Sequence, residues 1–250
     1  MKHGCDISAY QNGNPPQPID FQKMKDSGAE FVIMRKHLGY YQDLQFEQNA
    51  EGADKAGLAV GAYGVLYPGY DTERQTEAFC QGISPSDLVF PPYGDIERRH
   101  SLSKSRAISD VLAYMYGLKN WWGDADFYTA KYVWQDYYSS KAGWIDDWGP
   151  LWVAHYNGQV QPEYIPIGWE QRKDGTLVPV DESWAIHQYS ADGNGKGHLY
   201  GVSSRDVDLN WMQDWYWSLF INPGPPVEPP VAPVITLHVP KGTVVRIIEE

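Results

Sequence analysis

Tyr93-Gly94-Asp95-Ile96-Glu97 reads as a short β-strand ending in two carboxylates, and the segments on either side decide what sheet it belongs to. Before it, His3 to Ile7, Phe31 to Arg35 and Ala59 to Leu66 are runs of β-type residues, which makes Tyr93 to Ile96 the fourth strand of a series. The stretches between are helical by period. Phe46, Ala50, Ala53 and Gly57 recur at three- and four-residue steps, and so, after the fourth strand, do Ile108, Val111, Met115, Leu118 and Trp122. Thr72-Glu73-Arg74-Gln75 has the form of a capping box that opens the helix carrying Phe79. Strands alternating with helices predict a parallel α/β architecture. Beyond Phe127-Tyr128-Thr129 the texture changes, because Leu151 to Tyr156, Trp184 to Tyr189 and Arg205 to Leu209 are strands joined by segments too rich in Gly and Trp for long helices. Eight strands with helices only between the earlier ones suggest a TIM-like barrel whose last third has lost its outer helices; an open two-sided sheet is the alternative.

Composition narrows the function classes. The chain is 42% hydrophobic and carries 11 Trp, 18 Tyr and 7 Phe, enough apolar surface for one large core. Its net charge of −12 has the wrong sign for phosphate backbones or anionic headgroups. No apolar run approaches the roughly 20 residues needed to span a bilayer, so neither nucleic acid nor membrane is an expected partner. Met1-Lys2-His3-Gly4-Cys5-Asp6 leads into a polar, Pro-rich segment without secretory character, and synthesis in the cytoplasm without a signal peptide is expected. Cys5 and Cys80 have no CxxC or metal spacing and read as two buried thiols. Pro223, Pro225, Pro226, Pro229, Pro230 and Pro233 mark an extended linker. The expected domains are a catalytic barrel at 1–221, a Pro-rich linker at 222–234 and a short β-type segment at 235–250. That segment is too small to fold alone, so it packs on the barrel, belongs to a longer module or mediates self-association.

The two carboxylates carry the chemistry. Residues two apart on a strand share a face, so Asp95 and Glu97 would both meet the barrel axis at the C-terminal mouth, where barrel enzymes place their sites. Glycoside cleavage uses such a pair, one acid protonating the leaving oxygen and another stabilising the sugar's developing positive charge. A close like charge keeps a carboxylic acid protonated, and Glu97 is the candidate acid. The competing reading makes them surface residues paired with Arg98 and Arg99. Asp6 ends the first strand and Asp208 the last, and closure of a barrel makes those strands neighbours. Four acids would then share one mouth, although Asp6, followed by Ser8, could instead be a helix cap. Tyr63, Tyr128, Tyr156 and Tyr189 fall at strand ends, with Gln188 beside the last, and such rings suit sugars that stack one face and hydrogen-bond at the edge. His155 and His187 lack the spacing of a metal site, so neither metal nor cofactor is expected.

The ordered set Asp6-Ile7-Ser8, Gly28 to Arg35, Ala56 to Tyr63, Asp95-Ile96-Glu97, Leu151 to Tyr156, Gln188-Tyr189-Ser190 and Val207-Asp208-Leu209-Asn210 resembles the glycoside hydrolase family 25 lysozymes of bacteria, fungi and phages. The resemblance implies an irregular barrel of about five β/α units followed by three strands. It also implies cleavage of the β-1,4 bond between N-acetylmuramic acid and N-acetylglucosamine in peptidoglycan. By matching position, Glu97 is the general acid/base, Asp95 its partner, and Asp6 and Asp208 the remaining carboxylates, while Tyr63, Tyr128, Tyr156 and Gln188 contact substrate. Two departures stand out. Gly64-Val65 follows the Gly-Ala-Tyr motif where the family often has His-Phe, and His187 replaces a Trp before Gln-Tyr-Ser. The absent leader and the Pro-rich linker resemble phage endolysins, which act on the cell wall after holin-dependent release; a tail-associated lysozyme is the variant reading. A chitinase-like glycosidase and a structural, carbohydrate-binding barrel are the alternatives in function.

Overall fold

The run Phe31-Val32-Ile33-Met34 is buried throughout in the computed structural model, which describes residues 1–138, 151–160, 169–171, 177–179 and 184–221. A strand apolar on both faces needs cover on both, and a parallel sheet wrapped in helices supplies it. The barrel begins with β1 (Lys2–Ile7), followed by β2 (Phe31–Leu38) with a two-residue outer strand, β3 (Tyr41–Gln42), on its far end. Next come β4 (Ala59–Val65), β5 (Tyr93–Asp95), β6 (Asp126–Ala130) and β7 (Leu151–Ala154), each parallel to its predecessor in the wall. A separate antiparallel pair, β8 (Trp169–Gln171) and β9 (Leu177–Pro179), precedes β10 (Trp184–Ser190), which is parallel to β7. The last strand, β11 (Asp208–Met212), runs antiparallel to both β10 and β1, and β1 pairs with β2 to close the ring.

Helices fill the first five connections: α1 (Phe21–Asp26), α2 (Phe46–Lys55), α3 (Thr72–Cys80), α4 (Lys104–Trp122) and a short α5 (Lys131–Val133) that runs into a π-helical turn at Trp134–Tyr138. The protein is therefore an irregular α/β barrel of five β/α units and three closing strands, with β3 outside it. All eight barrel strands were legible as strands. The linker and tail expected at 222–234 and 235–250 lie outside the described residues.

Four local readings need correction. The last strand was expected over Arg205 to Leu209 but starts at Asp208, because the Arg205 carbonyl is engaged by Gly197 N–H in the preceding loop. Helix α3 is capped by Asp71, whose carboxylate accepts Arg74 N–H, and not by a box at Thr72. Gln75 instead folds back on Tyr67, accepting its N–H at 2.8 Å and donating to its carbonyl at 3.2 Å. A sixth helix, α6 (Asp214–Phe220), was not foreseen. It packs Trp217 and Phe220 against Phe90 and places Tyr216 in the core. Cys5 is buried and Cys80 half-buried, both as free thiols.

The barrel interior is aromatic. The Trp152 ring lies 6.0, 5.3 and 4.8 Å from the rings of Tyr63, Tyr93 and Tyr128, a plug drawn from β4, β5, β6 and β7. Large rings fill a small barrel with few side chains, and this plug is the floor on which the mouth is built.

Candidate active site

Parallel strands deliver their C-terminal ends to one mouth, and β11, being antiparallel, delivers its beginning. Asp6 near the end of β1 therefore pairs in register with Asp208 at the start of β11. The expectation that Asp208 ends its strand was wrong in direction, yet the return of the strand brings it to the same place. Asp95 ends β5 opposite Tyr128 of β6. The strand stops there and not at Ile96, because the Asp95 carboxylate accepts Glu97 N–H at 3.1 Å and turns the chain. Asp6, Tyr63, Asp95, Glu97, Tyr128, Trp152, Tyr156, Gln188 and Asp208 line one open pocket of about 370 Å³. All eight residues that the family resemblance assigned to the site are in that set, whereas Tyr189, grouped with them by its place at a strand end, is not.

Hydrogen bonds fix the floor. Gln188 Nε2 and Asn210 Nδ2 both donate to Asp6 Oδ2, at 2.7 and 2.8 Å. Trp152 Nε1 donates to Asn210 Oδ1 at 2.9 Å, so the aromatic plug orients the amide that orients the acid. The Tyr128 hydroxyl donates to Gln188 Oε1 at 2.9 Å and lies 3.4 Å from Glu97 Oε2. Trp152 and Asn210 are the residues that sequence reasoning missed. Both were findable, since each shares strand parity with a residue already noted, Trp152 with Tyr156 and Asn210 with Asp208.

The rival roles of these acids do not hold among the described residues. Ser8 itself caps the short helix at Ala9–Asn12, with Gln11 completing the box, so Asp6 is free of capping. Arg98 and Arg99 form no ion pair there with Asp95 or Glu97; the paired arginines are Arg35, Arg106 and Arg205. Tyr189 points away from the acids, stacked on Trp211 with ring centroids 6.0 Å apart and bonded to His3. His187 is buried with both ring nitrogens against carbonyl oxygens, of Val160 at 3.0 Å and His155 at 2.9 Å. At the other departure, a side chain on Gly64 would collide with the bonded pair His37 and Tyr114, so only glycine fits.

Crowding four acids in a buried place raises all of them. Burial pushes Asp208 up to about 9, helped by Asp6 and Glu97. It lifts Asp6 to about 6 against the opposing hydrogen bonds from Asn210 and Gln188. Asp95 is pushed well above the carboxylate range by burial and then by the Glu97 charge. Glu97 is raised by burial, against the Tyr128 hydrogen bond and the Arg98 charge. The like-charge effect expected on Glu97 therefore falls on its deeper neighbour Asp95, and desolvation is what favours a proton on Glu97. The arrangement can hold and deliver a proton beside a carboxylate that lines the pocket, since Asp95 Oδ2 is bonded to no other protein group among the described residues.

The family model described as Glycosyl hydrolases family 25 matches residues 5–198. A search of curated proteins gave no match. Among solved structures the chain is similar to a bacterial lysozyme from Streptomyces coelicolor, at 25% identity and TM-score 0.67 over 89% of this chain and 98% of that one. It is similar in fold to a family GH25 lysozyme from Aspergillus fumigatus, at 23% identity and TM-score 0.67 over 88% of this chain and 98% of that one. The catalytic domain of endolysin ply40, from bacteriophage P40 of Listeria monocytogenes, matches at 20% identity and TM-score 0.63 over 88% of this chain and 97% of that one. With the family model spanning most of the barrel and every acid of the mouth but Asp208, the chain belongs to glycosyl hydrolase family 25 and is a glycoside hydrolase.

Proposed function

We propose that the protein is an N-acetylmuramidase that cleaves the β-1,4 bond between N-acetylmuramic acid and N-acetylglucosamine in bacterial peptidoglycan, with net retention. The observation that carries this reading is the convergence of Asp6, Asp95, Glu97 and Asp208 on one pocket, with the rings of Tyr63, Tyr128 and Tyr156 around them. Rings with polar tips suit a sugar, and raised acids suit protonation of its leaving oxygen.

Glu97 acts as general acid, its proton retained by burial. Asp95 Oδ2 takes the N–H of the substrate's 2-acetamido group and aims its carbonyl oxygen at the anomeric carbon, the substrate-assisted route. That N–H adds a second donor to Asp95 beside Glu97 N–H, which lowers the Asp95 pKa and favours its carboxylate at the moment it is needed. The carbonyl oxygen bonds the anomeric carbon as the glycosidic bond breaks, and the leaving oxygen takes the Glu97 proton. Glu97 then removes a proton from water, which attacks the same carbon and opens the ring intermediate. Two inversions give retention. Asp6, held by Gln188 and Asn210, faces the positive charge that develops on the sugar. Tyr128 and Gln188 keep Glu97 and Asp6 in register through the bond between them.

On this reading residues 1–221 contain the whole catalytic apparatus, and peptidoglycan is the partner. Mass spectrometry of soluble fragments released from purified cell walls tests it. New reducing ends on N-acetylmuramic acid are expected, and reducing ends only on N-acetylglucosamine would overturn it.

A further inference from the structure

Two cations stand beside the acid cluster outside any ion pair among the described residues. Arg98 and Arg99 follow Glu97 directly and are exposed. In a chain with 32 acidic residues against 20 basic ones, two adjacent arginines in no ion pair among the described residues need a reason. Together with Glu97 and Tyr132 they line a hollow of about 630 Å³. Glu97 is also a wall of the carboxylate pocket, so the two spaces meet at the acid. The Arg98 guanidinium lies 4.5 Å from the centre of the Tyr67 ring. Stacking of that kind holds the plane of the guanidinium and leaves its N–H edge for a planar, bidentate acceptor.

A second hollow beside the carboxylate pocket has a different character. There the carboxylate pocket shares Tyr156 with a hollow of about 720 Å³ that includes Tyr189 and Asp192 and, among the described residues, no lysine or arginine. A neutral glycan needs no cation at the mouth, and an anionic one is repelled by whichever of the clustered acids are ionised unless the local sign is reversed somewhere. Arg98 and Arg99 reverse it on one side.

We propose that the hollow of Arg98, Arg99 and Tyr132 is a subsite for a carboxylate-bearing branch of the substrate. The proposal rests on the muramidase reading, in which the carboxylates of the stem peptide, or the lactyl carboxylate of muramic acid where no stem is attached, are the anionic parts of an otherwise neutral sugar chain. The unequal flanks then orient the glycan, with the branch toward Arg99 and uncharged sugar toward Tyr189.

The test measures kcat and KM for the parent, Arg99→Gln and the double variant Arg98→Gln/Arg99→Gln on three preparations of soluble glycan strands. One retains its stem peptides, one has all carboxyls capped as amides, and one has been freed of stems by an amidase, which exposes the lactyl carboxylate. Arg99→Gln is the cleaner variant, because the Arg98 charge also holds Glu97 and Asp95 down. Capping is expected to raise the parent KM about five- to tenfold, the scale of a charge-assisted bidentate contact. Both variants should show that higher KM on uncapped strands and respond no further to capping, while kcat of Arg99→Gln stays at the parent value. Because an attached stem holds the lactyl carboxyl as an amide, a capping effect on stem-bearing strands assigns the contact to the stem carboxylates, and a KM difference between parent and variants on stem-free strands shows that the exposed lactyl carboxylate enters the same subsite. A capping ratio equal in parent and variants would overturn the subsite while leaving the muramidase reading intact. Failure of the parent to cleave any strand would overturn that reading, and the subsite with it.

Discussion

Strands β5 and β6 each carry one acid and one tyrosine, in opposite order. Tyr93 lies across from Asp126 at the start of the strands, and Asp95 lies across from Tyr128 two residues later. Both acids are buried, and burial is the leading cause that raises both, Asp126 to about 7 and Asp95 well above the ordinary range. Their surroundings differ. The Tyr216 hydroxyl donates to Asp126 and is linked at 2.9 Å to the Tyr93 hydroxyl, so the helix that carries Tyr216 packs on that end of the barrel. Asp95 receives only Glu97 N–H among the described residues and shares an open pocket with three other acids. A raised pKa therefore does not mark function by itself. Nor does an unpartnered oxygen, since Asp126 Oδ1 has no partner among the described residues either; a place in an open pocket in company with other acids does.

The comparison breaks most easily at Asp95. Asp95→Asn keeps an oxygen to accept Glu97 N–H but removes the charge proposed to aim the substrate amide, and kcat should fall about a hundredfold or more with the melting temperature little changed. Parent-like turnover would remove Asp95 from the reaction. At the closed end the expectation reverses. Tyr216→Phe strips Asp126 of its donor and should lower stability by about 1–3 kcal/mol, read by chemical denaturation, while turnover per folded molecule stays at the parent level. A large loss of turnover would mean that this end also serves the chemistry.

A subtler distinction is the pH dependence of stability. Asp208 titrates at about 9 and Asp6 at about 6 in the folded protein, against an ordinary value of 3.8. Between those limits the folded state holds protons that the unfolded chain has released, so the cluster makes stability fall as pH rises from about 4 to about 9. Asp208→Asn should therefore melt higher than the parent near pH 8 and show no such gain near pH 4. An equal offset at both would mean that Asp208 does not titrate in that window. The smallest effect is expected from deleting residues 222–250: cleavage of short soluble substrates should be nearly unchanged. Loss of that activity with the barrel still folded would place part of the site in the tail.

What the sequence disclosed follows from which properties are local. Asp95 and Glu97 were legible because spacing by two on a strand sends side chains to one face, and the run at Phe31 to Met34 was legible because β-type residues declare themselves. Asp6 and Asp208 needed the further step of barrel closure. The direction of β11 was beyond reach, since a strand's pattern reads the same whichever way it runs, and that direction alone puts the beginning of the strand at the mouth. Trp152 and Asn210 went unnoticed because their roles depend on each other across β7 and β11. Helix α6 was hidden by its Trp-rich composition, and with it the tyrosine that turns Asp126 into structure.

The central claim is that the open cluster performs the chemistry and the closed one holds the fold, and Glu97→Gln set beside Asp126→Asn tests it most directly. Hydrolysis of purified cell walls should be measured per folded molecule, with thermal melting recorded on the same samples. Glu97→Gln is expected to lower kcat about a hundredfold or more, the usual worth of a positioned general acid, at an unchanged melting temperature, whereas Asp126→Asn should shift melting and leave kcat in place. A folded Glu97→Gln variant that hydrolyses walls at the parent rate would contradict the account.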